Sequence, residues 1–284
     1  MSDRPAPPAS LTPTRGVDVT RVSAEGVTRT TDVAATEEPL DVRLHGRSFA
    51  VIMRTPGEDR ALVAGFLLSE RIVRSRDDIG AIEHCRHPDE TKAHHVVDVF
   101  LCGDAAARVP QLLASRRDFI ANSSCGVCGR ATIEELRANI NPLTASWSAP
   151  LELMRELPDR LRSHQSKFDE TGGLHGAALF TADGSFITSA EDVGRHNAVD
   201  KAIGTLLLQE TAMAMPPGIL MVSGRVSFEI VQKAWVAGIP LVAAISAPTS
   251  LAIDLAQEAG ITLLGFVREK SLNIYTHASR VRGV

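Results

Sequence analysis

Two thiols lie three residues apart in Asn122-Ser123-Ser124-Cys125-Gly126-Val127-Cys128-Gly129-Arg130. Thiolate is the most nucleophilic group a protein carries near neutral pH, and its reactivity follows pKa and access. Arg116, Arg117 and Arg130 flank the pair, and positive neighbours favour thiolate over thiol. Thr132-Ile133-Glu134-Glu135 has the spacing of a helix capping box. It predicts a helix N-terminus, with its favourable dipole, beside the sulfurs. Gly126 and Gly129 leave them unshielded. Cys125 is therefore expected to be more acidic than the reference thiol at about 8.5. Cys85 and Cys102 fall in strand-like segments and are expected to be protected by packing.

Several chemistries compete for the pair. Thioredoxin-like exchange wants the first cysteine to open a helix within a strand-helix-strand unit, which the two glycines suit poorly. Structural zinc takes four ligands, often as two close pairs. The second pair is missing here, because Cys85 and Cys102 are 17 residues apart, and no stoichiometric zinc is expected. Sulfur carriage, in which a thiolate holds a persulfide and passes on its outer sulfur, needs an exposed thiol and little else. The plain alternative is two free cysteines in a surface loop. His84, His87, His94 and His95 read as solvated loop histidines, since no carboxylate or cysteine pattern recurs with them.

The elements that must position this chemistry fall into two halves. Asp41–Leu44 and Ser48–Met53 flank His45-Gly46-Arg47, a hairpin. Glu58 to Ile72 has helical spacing with Leu62, Phe66 and Leu67 on one face, and Gly65 inside it. Strands are predicted over 81–85 and 96–101. A linker over 141–146 marks a boundary, followed by a helical stretch, 151–168, that Pro158 should kink or split. Beyond it, strands and helices alternate: a hairpin around Ala182-Asp183-Gly184, helix 198–210, strand 218–222, helix 227–237, strand 240–245, helix 250–258 and strand 261–266. Such alternation implies a parallel sheet covered on both faces. The fold class is α/β. A disordered tail over 1–16 precedes an α+β domain over 17–145 carrying the CxxC loop. An α/β domain with ligand-binding loops spans 146–284.

Ligands of such sheets bind beyond the carboxyl ends of the strands. Those positions carry Ser223-Gly224-Arg225, Ser246-Ala247-Pro248-Thr249-Ser250 and Phe266-Val267-Arg268-Glu269-Lys270-Ser271. Gly172-Gly173-Leu174-His175-Gly176 and Glu191-Asp192-Val193-Gly194-Arg195-His196-Asn197 join them. Small residues admit a ligand to the backbone, helix N-termini bind anions, and arginine and lysine add charge for phosphate. Several such loops at one edge point to a large anionic ligand.

Composition limits the alternatives. The 284 residues are 44% hydrophobic with net charge −4 and pI near 6.1, giving no global basic excess for nucleic acid. Aromatics at 4% leave little for stacking single strands. Four cysteines in this length fit a reducing compartment better than a disulfide framework. No apolar run reaches the roughly 18 residues of a membrane span, and no signal-type h-region opens the chain. The protein is expected to be soluble and cytoplasmic.

With these segments together, the chain resembles the formate dehydrogenase accessory sulfurtransferase family (FdhD). The pieces that match are Cys125-Gly-Val-Cys128-Gly, Gly172-Gly-Leu-His-Gly176, Glu191-Asp-Val-Gly-Arg-His-Asn197, Ser223-Gly-Arg225 and Gly265-Phe-Val-Arg268 with Asn273-Ile-Tyr275, in that order. The resemblance implies a cytoplasmic sulfur carrier, usually a homodimer. It would take persulfide sulfur from a cysteine desulfurase and deliver it to the bis-molybdopterin guanine dinucleotide molybdenum cofactor before insertion into formate dehydrogenase. It places the persulfide on Cys125, with Cys128 assisting, and the cofactor contact on Phe266, Val267, Arg268, Glu269, Lys270 and Ser271. Gly224 and Arg225 are added from the loop reading. The second half also resembles the cytidine deaminase fold, but it contains no cysteine to bind a deaminase zinc. A non-catalytic cofactor-binding chaperone with regulatory cysteines is the alternative.

Overall fold

The structure is a computed structural model describing residues 12–85, 94–114, 141–209 and 218–284. The expectations for Cys125, Cys128, their flanking arginines, the helix after them and His87 lie outside the described residues.

The chain opens with a two-stranded antiparallel ribbon, β1 (Thr14–Ser23) and β2 (Gly26–Ala35), exposed along most of its length. Thr14, Arg15 and Gly16, assigned above to a tail, pair with Ala35, Ala34 and Val33. A four-stranded sheet follows, built from β3 (Glu38–Leu44), β4 (Arg47–Arg54), β5 (Ile79–His84) and β6 (Val96–Leu101) in the order β4-β3-β6-β5. The predicted hairpin is present. Leu44 pairs with Arg47, so His45 and Gly46 alone make the turn, both at positive φ, 49° and 78°, as a two-residue hairpin loop of this twist requires. Helix α1 (Asp59–Ser69) and helix α2 (Gly103–Ala114) pack on this sheet, with Leu62 and Leu67 of α1 in the shared core.

In the second half, the short β7 (Ala149–Pro150) leads into α3 (Leu151–Arg162) and α4 (Ser166–Thr171). Pro158 lies inside α3, and the break comes later, at residues 163–165. Leu153, Met154, Leu157 and Leu161 are buried along one face, and that burial outweighs the roughly 3 kcal/mol that an internal proline costs. The remaining elements are β8 (His175–Phe180), β9 (Phe186–Asp192), α5 (Arg195–Leu208), β10 (Ile219–Val222), α6 (Phe228–Val236), β11 (Leu241–Ala244), α7 (Ser250–Glu258), β12 (Thr262–Gly265), β13 (Asn273–Thr276) and β14 (Val281–Arg282). Six of the strands form one sheet in the order β13-β12-β11-β10-β8-β9. Only β10, β11 and β12 run parallel. The β8–β9 hairpin joins antiparallel to β10, and β13 antiparallel to β12. The expected parallel sheet is thus a mixed one. Every residue of β10, β11 and β12 is buried, as central strands covered on both faces must be. One face packs on α5, α6 and α7, the other on α3 with β7 and β14.

The two sheets meet through α1 and α5. A Cβ on Gly204 would stand 1.8 Å from the carbonyl oxygen of Ala61, and one on Gly65 would stand 1.9 Å from that of Asp200. The two backbones are therefore in direct contact, which only glycine permits at these points. Among the described residues, no helix is long and apolar enough to cross a membrane.

Candidate functional site

The sheet directions bring the predicted loops to one edge. The carboxyl ends of β10, β11 and β12 point the same way. Because β8 and β13 run against them, the amino ends of those strands, His175 and Asn273, lie at that edge, as does the carboxyl end of β9. Crossing the sheet, one meets Phe266–Ser271, then Ser246, then Ser223–Arg225, then His175, then Asp192–Asn197.

Most of the 191–197 segment is structural. Glu191, buried, accepts from the N–H groups of Lys167 and Phe168 at 3.0 and 2.8 Å and so caps α4. Asp192, fully buried, accepts from the N–H of Thr55 (3.1 Å), the N–H of Gly194 (2.8 Å) and Nδ2 of Asn197 (2.9 Å), and pairs with Lys201 Nζ at 2.8 Å. Asn197 Nδ2 also donates to Met53 O, and Lys201 Nζ to Thr55 O. Deeper in, Lys233 Nζ lies 2.8 Å from both carboxylate oxygens of Asp200, and Ser69 Oγ donates to the same carboxylate. Burial pushes the Asp200 carboxyl up, but the two-oxygen contact with Lys233 identifies it as the ionised partner of that pair. These charges tie the two halves together. Their signal in the sequence is the adjacent Asp200-Lys201 inside the alanine-containing core stripe of a helix. Arg195, His196 and Asn197, expected in a loop, form the first turn of α5.

The first turn of α5 borders a cavity of about 210 Å³ lined by Glu37, His175, Gly194, Arg195, His196 and Asn197 among others, with Glu37 exposed. His196 Nε2 is 3.0 Å from Ser227 Oγ and 3.8 Å from Glu229 Oε2. Burial chiefly, then Arg195 and Lys233, outweigh Glu229 and lower its pKa to about 4. It is neutral at pH 7, so the Glu229 contact is not an ion pair. A histidine whose folded pKa lies below the unfolded 6.5 stabilises fully above 6.5 and loses that stability as pH falls towards 4, because the unfolded chain takes the proton first. Unfolding free energy should therefore drop by on the order of 1–3 kcal/mol across this window, and His196→Gln should flatten the slope. Denaturant titrations at pH 7, 5.5 and 4.5 measure it, and equal slopes in both proteins would refute the assignment.

The predicted contact loops divide. Gly224 is buried, and a Cβ there would meet His175 Nδ1 at 3.3 Å. Arg225 is exposed. Phe266 is 45% exposed with φ 52°, a left-handed backbone costing a bulky residue about 1–2 kcal/mol. Such a ring is held outward at a cost that packing does not explain. Val267 differs from its neighbours: its side chain is fully buried in the core and its N–H is spent on Ala244 O, so it anchors the loop. Arg268 Nη1 donates to Ile245 O (2.7 Å) and Val267 O (2.8 Å), stitching two strand ends. Glu269, Lys270 and Ser271 are exposed. Cys102, expected to be shielded, is exposed, whereas Cys85 is partly buried, and burial, then Asp98, push its thiol pKa up. Among the described residues no group of three or more His, Cys, Asp or Glu is placed to hold a metal.

Residues 35–282 match the family model described as FdhD/NarQ family. The chain belongs to the FdhD/NarQ family. FdhD/NarQ relatives include "Sulfur carrier protein FdhD" of Streptomyces coelicolor, 46% identical over 93% of this chain and 94% of that one. The protein of the same name from Mycolicibacterium paratuberculosis is 45% identical over 93% and 97%. A crystal structure from Desulfotalea psychrophila, described as that of a formate dehydrogenase accessory protein, superposes with TM-score 0.71 at 22% identity, over 94% of this chain and 99% of that one. It supports the FdhD-type fold alone.

Proposed function

We propose that this chain is a sulfur carrier in the maturation of formate dehydrogenase. Cys125 takes sulfur from a cysteine desulfurase and delivers it to the bis-molybdopterin guanine dinucleotide molybdenum cofactor, which is bound at the carboxyl edge of the six-stranded sheet. In loading, the Cys125 thiolate attacks the outer sulfur of the donor persulfide and the donor thiolate leaves, so a persulfide is exchanged with no net oxidation. Cys128 assists the transfer or resolves a disulfide. The protein works as a cytoplasmic homodimer. The similarity of the second half to the cytidine deaminase fold supplies a scaffold without the chemistry, since no cysteine lies there to bind zinc.

The observation that carries the ligand half of this reading is the outward, strained Phe266 at the same edge as exposed Arg225. An aromatic platform and a guanidinium with no ion pair among the described residues suit a nucleobase and its phosphates. The names carried by the relatives support sulfur carriage.

Guanosine diphosphate alone should bind, and a charge-assisted phosphate contact is worth about 1.5–3 kcal/mol. Arg225→Ala or Arg268→Ala should weaken it about tenfold to a hundredfold, the second partly by loosening the loop. Cys125→Ser should leave that affinity unchanged and abolish persulfide loading and formate dehydrogenase activation. Calorimetry paired with single-turnover transfer of labelled sulfur reads both. Absence of transfer by the unaltered protein would leave a cofactor-binding chaperone instead.

A further inference from the structure

The ribbon of β1 and β2 precedes the residues that match the family, which begin at 35, so family membership gives it no role. Ten residues pair on each strand, a length of about 33 Å. Its base is held: β2 packs on α4, and a Cβ on Gly173 would touch that of Ala35 at 3.5 Å. Farther out, every residue from Thr20 to Val33 is exposed. A two-stranded hairpin without further cover is marginal in water, so the outer half of this one lacks the surface that would steady it.

The register sorts the side chains into two faces. One face carries the cross-strand pairs Gly16–Val33, Asp18–Thr31, Thr20–Arg29 and Val22–Val27. Its valines, Val22, Val27 and Val33, are 75%, 68% and 38% exposed. The charges select what covers them. The ribbon holds three arginines, Arg15, Arg21 and Arg29, and three carboxylates, Asp18, Glu25 and Asp32. Among the described residues none of the six is in an ion pair. A nucleic acid or an anionic membrane calls for an excess of positive charge, which is absent here. An equal and interleaved set of both signs suits a copy of itself.

We propose that this ribbon is the arm through which two copies of the chain associate. The register fixes what the contact joins. A second ribbon is laid antiparallel on the valine face, about a two-fold axis midway between the Asp18–Thr31 and Thr20–Arg29 rows. Val27 then meets the partner's Val33, and Val22 meets the partner's Gly16, where no side chain stands in the way. At the usual spacing of about 10 Å between packed sheets, Asp18 reaches the partner's Arg29. The two-fold makes each of these contacts twice. The arm gives a surface to the homodimer of the function proposed above, and rests on that reading for there being a dimer at all.

Sedimentation equilibrium of the full chain tests the arm. The unaltered protein should be a dimer that dissociates on dilution. Asp18→Arg or Arg29→Asp alone sets like charges against each other twice and should raise the dimer Kd by about tenfold or more. Val27→Asp should do the same by placing a charge on the partner's Val33. Mixing the Asp18→Arg and Arg29→Asp chains re-forms both ion pairs between unlike chains, so the mixture should dimerise about as well as the unaltered protein. That recovery needs folded chains, and an ion pair within one chain cannot produce it. A dimer unmoved by the single variants, or variants that stay apart when mixed, overturns the arm and leaves the homodimer to another surface. An unaltered protein that is monomeric at every concentration overturns arm and homodimer together, and leaves sulfur carriage to the labelled-sulfur experiment.

Discussion

Lys201→Met is expected to lower the unfolding free energy by about 3 kcal/mol, the lower end of the range for removing one partner of a buried pair. Lys201 is 1% exposed and Asp192 is fully buried. Without the ammonium, the Asp192 carboxylate keeps its hydrogen bonds from Thr55, Gly194 and Asn197, which spares it the upper end of the range. The carbonyl of Thr55 loses its donor and adds to the loss. Since a domain's total stability is about 5–15 kcal/mol, this single change removes a large part. The double variant Lys201→Met/Asp192→Asn should lose less than the sum of the single changes, because no uncompensated charge remains. Urea unfolding of the four proteins gives the cycle. A loss below about 1 kcal/mol for Lys201→Met would mean that water reaches the pair.

Gly204→Ala carries the second large effect, and its sign is the informative part. On an exposed helix the change would stabilise by about 1 kcal/mol through propensity alone. Here the added methyl would lie 1.8 Å from the Ala61 carbonyl, a backbone atom of a helix itself packed into a sheet, so α1 and α5 must separate. Overpacking of this kind costs typically 1–3 kcal/mol and occasionally more, and a rigid neighbour puts it at the upper end. A net loss of about 2–3 kcal/mol is therefore expected. A gain in thermal midpoint would show that the helices do not touch. Gly65→Ala, facing Asp200 O at 1.9 Å, should behave alike.

Sequence patterns reached the strands and helices well where burial is one-sided or complete. The hairpin at His45-Gly46-Arg47 was legible because alternating strands flank a glycine turn, although the pairing of Leu44 with Arg47 leaves only two residues in it, and β10, β11 and β12 were legible because an unbroken apolar run needs cover on both faces. The direction of β8 and β13 was not legible, since alternation of strand and helix says nothing of strands joined by hairpins. That the helix runs unbroken past Pro158 was not legible, because it depends on the four buried residues around the proline. The motif Glu191–Asn197 was recognisable as unusual, yet its composition gave no means of dividing Glu191 and Asp192, which brace the fold, from Arg195 and His196, which line the cavity, or of showing that Asn197 does both. That division depends on Met53, Thr55 and Lys167, distant in sequence. The burial of Val267 was hidden for a related reason: its side chain and N–H turn to the core and to Ala244 O, which lie far from it in sequence.

The brace has a cost in time. Thr55 and Lys201 are 146 residues apart, and at about 5–20 residues per second a ribosome needs roughly 7–30 s to produce one after the other. Throughout that interval the face of α1 destined for α5 has no partner, and its glycine, chosen for backbone contact, weakens the helix standing alone. The nascent first half must therefore wait, with apolar surface uncovered, for a helix not yet made. High-contact-order assembly of this sort folds slowly once complete. Yield in the cell should accordingly respond to chaperone supply and growth temperature more than the finished protein's stability would indicate.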